Sequence, residues 1–351
     1  RVSGLRKSVP AHVANAVAVA LEKVPADRFN SARAFADALA NSAFAGPTTG
    51  EQATPVRRRF PLVAAVGVAA VGVAAGLAIG AVLGRSLVEP PPRPVTRFAI
   101  VLPDSATFLA GAGVNLAWSP EGSRLVYVGR SSSGRDLLWQ RLLDQTGTQP
   151  IPGTEAGRIP TFSPNGSKLA FTAGGALKTI SFEGGPALTV VPQGVPSAGG
   201  GIAWGDDDRI YFVNDSGAIQ SVSPAGGTIT TVAVPERDVG YMWIDVLPGG
   251  RTLLATIGRI GVPDASEIAV VPTDGGAARR LFKGTMARYA SSGHLVYTSA
   301  VGALMAVPFD AKRASVTGSP VALFQGVDVY MGSASQFSLT KTGGLAWVGY
   351  G

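Results

Sequence analysis

The sequence holds no cysteine in 351 residues and only two histidines, His12 and His294. Disulfides and thiolate metal sites are thereby excluded, and a histidine-based metal centre lacks its ligands. Charge is also sparse, at 15% of residues, although the net charge is +7. Residues 1–96 carry 11 Lys and Arg against 5 Asp and Glu, which leaves 19 against 18 for residues 97–351. The larger part therefore has no basic excess of the kind that binds nucleic acid. It also has no G-x-S-x-G elbow, so a Ser-His-Asp arrangement around His294 has no nucleophile turn to use.

Against this background one stretch stands out, Phe60 to Gly84, which contains no charged side chain. At about 1.5 Å per residue it is long enough to cross a hydrocarbon core of roughly 30 Å, and it predicts a membrane-spanning helix. Arg57, Arg58 and Arg59 precede it, while Arg85 and Glu89 follow. The positive-inside rule then puts the N-terminal part in the cytoplasm and residues beyond 84 outside a bacterial inner membrane, in the periplasm. Gly72, Gly76, Gly80 and Gly84 recur every fourth residue and form a candidate face for helix pairing, hence for a homodimer.

Residues 1–43 predict two helices. In the first, from Pro10 to Val24, Val13, Val17 and Leu21 recur at helical spacing, with Ser8 available as a cap and Pro25 as a stop. The second runs from about Ser31, as N-cap, to Ala40. The spacing Leu21, Lys23, Pro25, Arg28, Phe29, Ser31, Ala32, Phe35 and Leu39 resembles the end of the C-lobe in bacterial eukaryotic-like serine/threonine protein kinases. That resemblance implies a structural role for Arg28, pairing with the glutamate of an A-P-E motif, and ATP and magnesium as cofactors of the parent. This chain contains neither that glutamate's motif nor a G-x-G-x-x-G loop with V-A-I-K, an H-R-D-x-x-x-x-N loop or D-F-G. Without them nucleotide, metal and hydroxyl are not held in line, so the chain is expected to be inactive alone and to be a piece of a longer protein. Residues 44–59, rich in Gly, Pro and Thr, predict a flexible juxtamembrane linker.

Residues 85–96 include E-P-P-P-R-P, an extended stalk. From residue 97 the pattern is β throughout, and it repeats. A turn followed by an apolar strand recurs as WSPEGSRLVYV from Trp118, FSPNGSKLAFT from Phe162, WGDDDRIYFV from Trp204, LPGGRTLLAT from Leu247, SSGHLVYTS from Ser291 and LTKTGGLAWV from Leu339. The markers Pro120, Pro164, Asp206, Pro248, Ser292 and Lys341 lie 42 to 49 residues apart, the size of a four-stranded propeller blade. The S-P-x-G signature resembles TolB-like, WD-repeat-like propellers, which implies six blades over residues 97–351. The sixth is short of strands, so closure by Thr96–Leu102 or a continuation beyond Gly351 is expected.

Within the propeller, Asp206, Asp207 and Asp208 form an acidic turn without calcium-loop spacing. Trp118, Trp139, Trp204, Trp243 and Trp347 are candidates for a binding face, although Trp118 and Trp204 occupy equivalent repeat positions, as packing residues do. No catalytic, cofactor or metal residue is expected in the chain. The sequence therefore predicts a mainly β protein: a six-bladed TolB-like propeller behind one transmembrane helix and a two-helix kinase remnant. Its expected role is the C-terminal fragment of a receptor-like kinase whose propeller senses an extracytoplasmic ligand or protein. The alternative is a non-catalytic, membrane-anchored propeller for binding or scaffolding in the cell envelope.

Overall fold

A computed structural model describes residues 9–22, 28–45, 95–111, 113–259, 262–330 and 334–349. The chain divides into two compact units, Arg1–Thr96 and Arg97–Gly351.

In the first unit α1 spans Ala11–Ala20 and α2 Ala32–Ala40. Pro10 takes the N-cap position of α1 without a side-chain cap, and Ser8, expected to cap it, lies outside the described residues. Ser31 does cap α2, its Oγ accepting the Ala34 N–H at 3.2 Å. Phe29 packs against Phe35 and Phe44, with ring centroids 5.5 and 6.0 Å away. The expected spanning helix, Phe60–Gly84, and its glycines Gly72, Gly76, Gly80 and Gly84 lie outside the described residues. Among the described residues no helix is long and apolar enough to cross a membrane. The two helices have 10 and 9 residues, where a crossing needs about 20. The expected single-pass placement in the inner membrane is corrected accordingly.

The second unit is a β-propeller, with five blades among the described residues. Blade 1 comprises β1 (Ala106–Phe108), β2 (Leu116–Trp118), β3 (Arg124–Ser131), β4 (Asp136–Leu142) and β5 (Thr148–Pro150). Blade 2 comprises β6 (Arg158–Phe162), β7 (Lys168–Ala173), β8 (Ala176–Ser181) and β9 (Leu188–Val191). Blade 3 is β10 (Ile202–Trp204), β11 (Ile210–Val213), β12 (Ile219–Val222) and β13 (Thr230–Ala233). Blade 4 is β14 (Gly240–Val246), β15 (Thr252–Gly258), β16 (Glu267–Pro272) and β17 (Arg279–Lys283). Blade 5 holds β18 (Thr285–Ala290), β19 (His294–Thr298), β20 (Leu304–Asp310), β21 (Ser315–Val316) and β22 (Val321–Phe324). Each is an antiparallel meander in which alternate side chains enter the stack.

The sixth repeat does not make a sixth blade. Here β23 (Val329–Tyr330) pairs with β24 (Ala334–Ser335), and β25 (Phe337–Leu339) with β26 (Leu345–Trp347), as two separate two-stranded pieces. Thr96–Leu102 forms no strand and closes nothing; the first strand of the unit, β1, pairs inside blade 1. The signature counted from the sequence marks a turn and the strands either side of it, and these exist in all six copies. Among the described residues, the outer strands that turn such a hairpin into a blade exist in five.

The turn itself explains why the signature repeats. Ser119 Oγ accepts the Arg124 N–H at 2.9 Å, and the Gly122 N–H reaches the Ser119 carbonyl at 2.9 Å with Gly122 at φ 87°. Ser163, Lys168 and Gly166 (φ 75°) repeat these bonds in blade 2. Such φ values suit glycine. Thr340 performs the serine's part in the sixth repeat, its Oγ1 accepting from the Gly344 N–H at 2.7 Å.

Inner strands β2, β6, β10, β14, β18 and the β24–β25 stretch neighbour one another in succession and return to β2, so the ring closes. Side chains join them. Thr161 Oγ1 donates to the Ile202 carbonyl (3.2 Å), Asp245 Oδ2 accepts the Tyr289 N–H (3.1 Å), and Ser338 Oγ accepts the Trp118 N–H (2.9 Å). These three residues each stand three before a repeat marker, in alternate ring positions. At the seam between last and first, the wholly buried Gln336 adds two more bonds, accepting from the Asn115 N–H (2.9 Å) and donating to the Gly113 carbonyl (2.7 Å). Blades 1 and 2 are also tied by Asp136, which accepts from Arg130 Nε at 2.8 Å and Arg158 Nη2 at 2.7 Å. Those bonds, Arg130's foremost, hold the Asp136 carboxyl below the usual carboxylate range.

Candidate functional site

The two ends of the inner-strand ring differ chemically. The first halves of the inner strands feed one contiguous apolar cluster, with Val114, Ile159, Ile202, Trp243, Met286 and Phe337 coming from successive ring positions. Ile159 and Met286 reach it from β-bulges, each at φ 52°. The second halves of the same strands open into a mouth of about 380 Å³ on the side of the repeated turns.

Every ring position contributes to that mouth. Trp118, Phe162, Trp204 and Tyr289 supply aromatic wall, and Asp245, Arg288, Asp206 and Lys341 supply charge. Arg288 Nη1 donates to the Ile244 carbonyl at 2.9 Å and stands 3.4 Å from Asp245 Oδ1, with both side chains about three-quarters covered. Burial pushes the Asp245 carboxyl up from its ordinary value, against the pull of Arg288 and the Tyr289 amide. Lys341 Nζ lies 3.1 Å from Asp206 Oδ1. A wider groove of about 710 Å³ continues from the mouth between blades 2 and 3, with Ser163, Asn165, Ser181 and Ser223 in its lining.

The residues singled out in the sequence fall unevenly on this geometry. Asp206, Asp207 and Asp208 do not converge: Asp206 meets Lys341, Asp207 accepts from Tyr211 Oη at 2.6 Å, and Asp208 accepts from Trp204 Nε1 at 3.5 Å. Among the described residues no group of three or more His, Asp or Glu could hold a metal ion. His294 Nδ1 lies 3.2 Å from Ser292 Oγ and 3.1 Å from the Ser292 carbonyl, contacts internal to its own turn. Trp118 and Trp204 line the mouth while their indole N–H groups bond back to their own turns. Trp243 is buried in the apolar end, Trp139 is buried between blade strands, and Trp347 is 42% exposed against Phe324. Arg28, in the first unit, donates from Nε to the Glu22 carbonyl at 2.7 Å. Arg288, Asp245 and Lys341 were not found as site residues by sequence reasoning, although Lys341 is one of the repeat markers and Asp245, three before Pro248, is a visible polar departure in the otherwise apolar β14.

Among solved structures, the chain is similar to a putative TolB from Agrobacterium tumefaciens, with a TM-score of 0.51 and 19% identity over 68% of this chain and 90% of that one. The fold is that of a TolB-like β-propeller. TolB from Acinetobacter baumannii also aligns, at a TM-score of 0.49 and 14% identity over 63% of this chain. The chain spans 55% of the length of that protein. No protein-family model matches the chain, and no curated protein matches it. None of these comparisons supports a kinase origin for the first unit. What they support is the TolB-like propeller fold, and the mouth is where that fold gathers charged and aromatic side chains, with Phe162 and Trp204 largely buried in its wall.

Proposed function

We propose that this chain is an interaction module whose TolB-like propeller binds a protein partner at the mouth. The observation that carries this reading is the convergence, at one end of the ring only, of aromatic wall with the pairs Arg288–Asp245 and Lys341–Asp206. Aromatic surface with few, placed charges is the composition of binding hot spots. A photo-crosslinking amino acid at Ser291, on the rim, is expected to trap a discrete partner in cells. The same group at Val234, 72% exposed on blade 3, serves as the control. Equal adducts from both positions, or none from Ser291, would refute a mouth-centred interaction.

A second reading concerns the first unit alone. We infer from the Leu21–Leu39 spacing that α1 and α2 are the tail of a serine/threonine kinase C-lobe, the Ser31 cap and the Phe29–Phe35 contact being compatible with it. The coding sequence upstream of Arg1 decides it: an open frame with D-F-G and A-P-E supports the reading, and a frame without them removes it.

A further inference from the structure

Two of the turns that follow the inner strands reach for one another across the mouth. Lys341 follows β25 in the sixth ring position and Asp206 follows β10 in the third, three steps round the ring in either direction. Lys341 Nζ and Asp206 Oδ1 are 3.1 Å apart, and both residues line the cavity beneath. The lysine's backbone is fixed: its N–H donates to the Pro120 carbonyl at 3.0 Å, and its carbonyl accepts from Ser291 Oγ at 2.9 Å. Its side chain is only lightly held. Lys341 and Asp206 are 61% and 49% exposed, against 22% and 25% for Arg288 and Asp245, which also bond to strand backbone. One ion pair is built into the wall, and the other lies over the opening where water and salt weaken it.

We propose that the Lys341–Asp206 pair is a strap that closes the mouth at rest and is parted by whatever enters the cavity. A charged group on the entering molecule can replace either end of the strap, so entry exchanges one weak ion pair for another. The strap governs access alone, and it stands whether or not the occupant is a protein.

The absence of cysteine provides the test. Thr161→Cys places a single thiol on the mouth wall of the full chain, and its reaction with N-ethylmaleimide, an uncharged probe, reports access. Adding Lys341→Ala or Asp206→Ala is expected to raise the rate about two- to five-fold, the range an exposed pair can hold shut. Raising salt from about 0.05 M to about 1 M is expected to bring the strapped protein toward that rate and to leave the two variants unchanged. Exchanging the charges, Asp206→Lys with Lys341→Asp, restores the slow reaction. Equal rates in all backgrounds with unchanged thermal melts would overturn the proposal. So would a rate indifferent to salt in the protein carrying only the thiol, an arm that does not depend on any rim variant folding.

Discussion

The apolar end of the inner-strand ring and its mouth are built by the same strands, yet they do opposite work. At the apolar end, residues such as Phe337, wholly buried, and Trp243, 3% exposed, fill the space between ring positions. At the mouth the same strands turn the largely covered Asp245 and Arg288 toward the cavity, and the turns that follow them carry the more exposed Lys341 and Asp206. Along these strands apolar packing is therefore gathered at one end and charge at the other, and substitutions at the two ends should separate effects on stability from effects at the mouth.

The largest expected effect comes from emptying the apolar end. Phe337→Ala should cost about 3–5 kcal/mol in a denaturant melt, while leaving thiol access at the mouth of the surviving folded protein unchanged; a loss below about 1 kcal/mol would show that the ring does not depend on this packing. Next comes the seam. Gln336→Ala orphans the Asn115 N–H and the Gly113 carbonyl, and the same melt should record a loss of about 1–3 kcal/mol.

Two smaller effects are read against pH. The Asp136 carboxyl is held below its ordinary value of 3.8, so its contribution is complete above that pH and is lost as pH falls through the lower, folded-state value. Asp136→Asn should remove that part of the acid-side loss and cost about 1 kcal/mol at neutral pH, since these ion pairs are partly open to solvent. Asp245 behaves in the opposite sense. Its folded-state value is raised above 3.8, so its contribution is present below 3.8 and is lost as pH rises through the raised value. The stability difference between the protein and Asp245→Asn, followed from pH 3 to about 7 by melting, should therefore move against the aspartate as pH rises. A flat difference would mean that burial of this mouth residue does not govern its titration.

How far all this could be read beforehand depended on what each residue does locally. The turns were legible because Ser119, Ser163 and their glycines make bonds confined to a few neighbouring residues, which any copy must repeat. The number of blades was not, because Thr340 folds its turn as faithfully as Ser119 although the outer strands of a blade are not formed around it. The β class followed from alternation. The mouth stayed hidden for another reason. Asp245 and Ser338 act on the backbone of the next ring position, 44 residues away in one case and 220 in the other, so their partners are not legible from the residues beside them. The aspartates that did attract notice, Asp206 to Asp208, are neighbours in sequence whose side chains part company in space.

The join between β25 and β2 has a mechanical corollary. Among the described residues no strand is shared across it; Gln336 and Ser338 hold it with side chains, together with the Lys341 N–H on the Pro120 carbonyl. The join is hooked by side chains. Pulled apart at this join, such a ring is expected to yield where the hooks are and to open into an arc with the hydrogen bonds inside each of its five sheets kept.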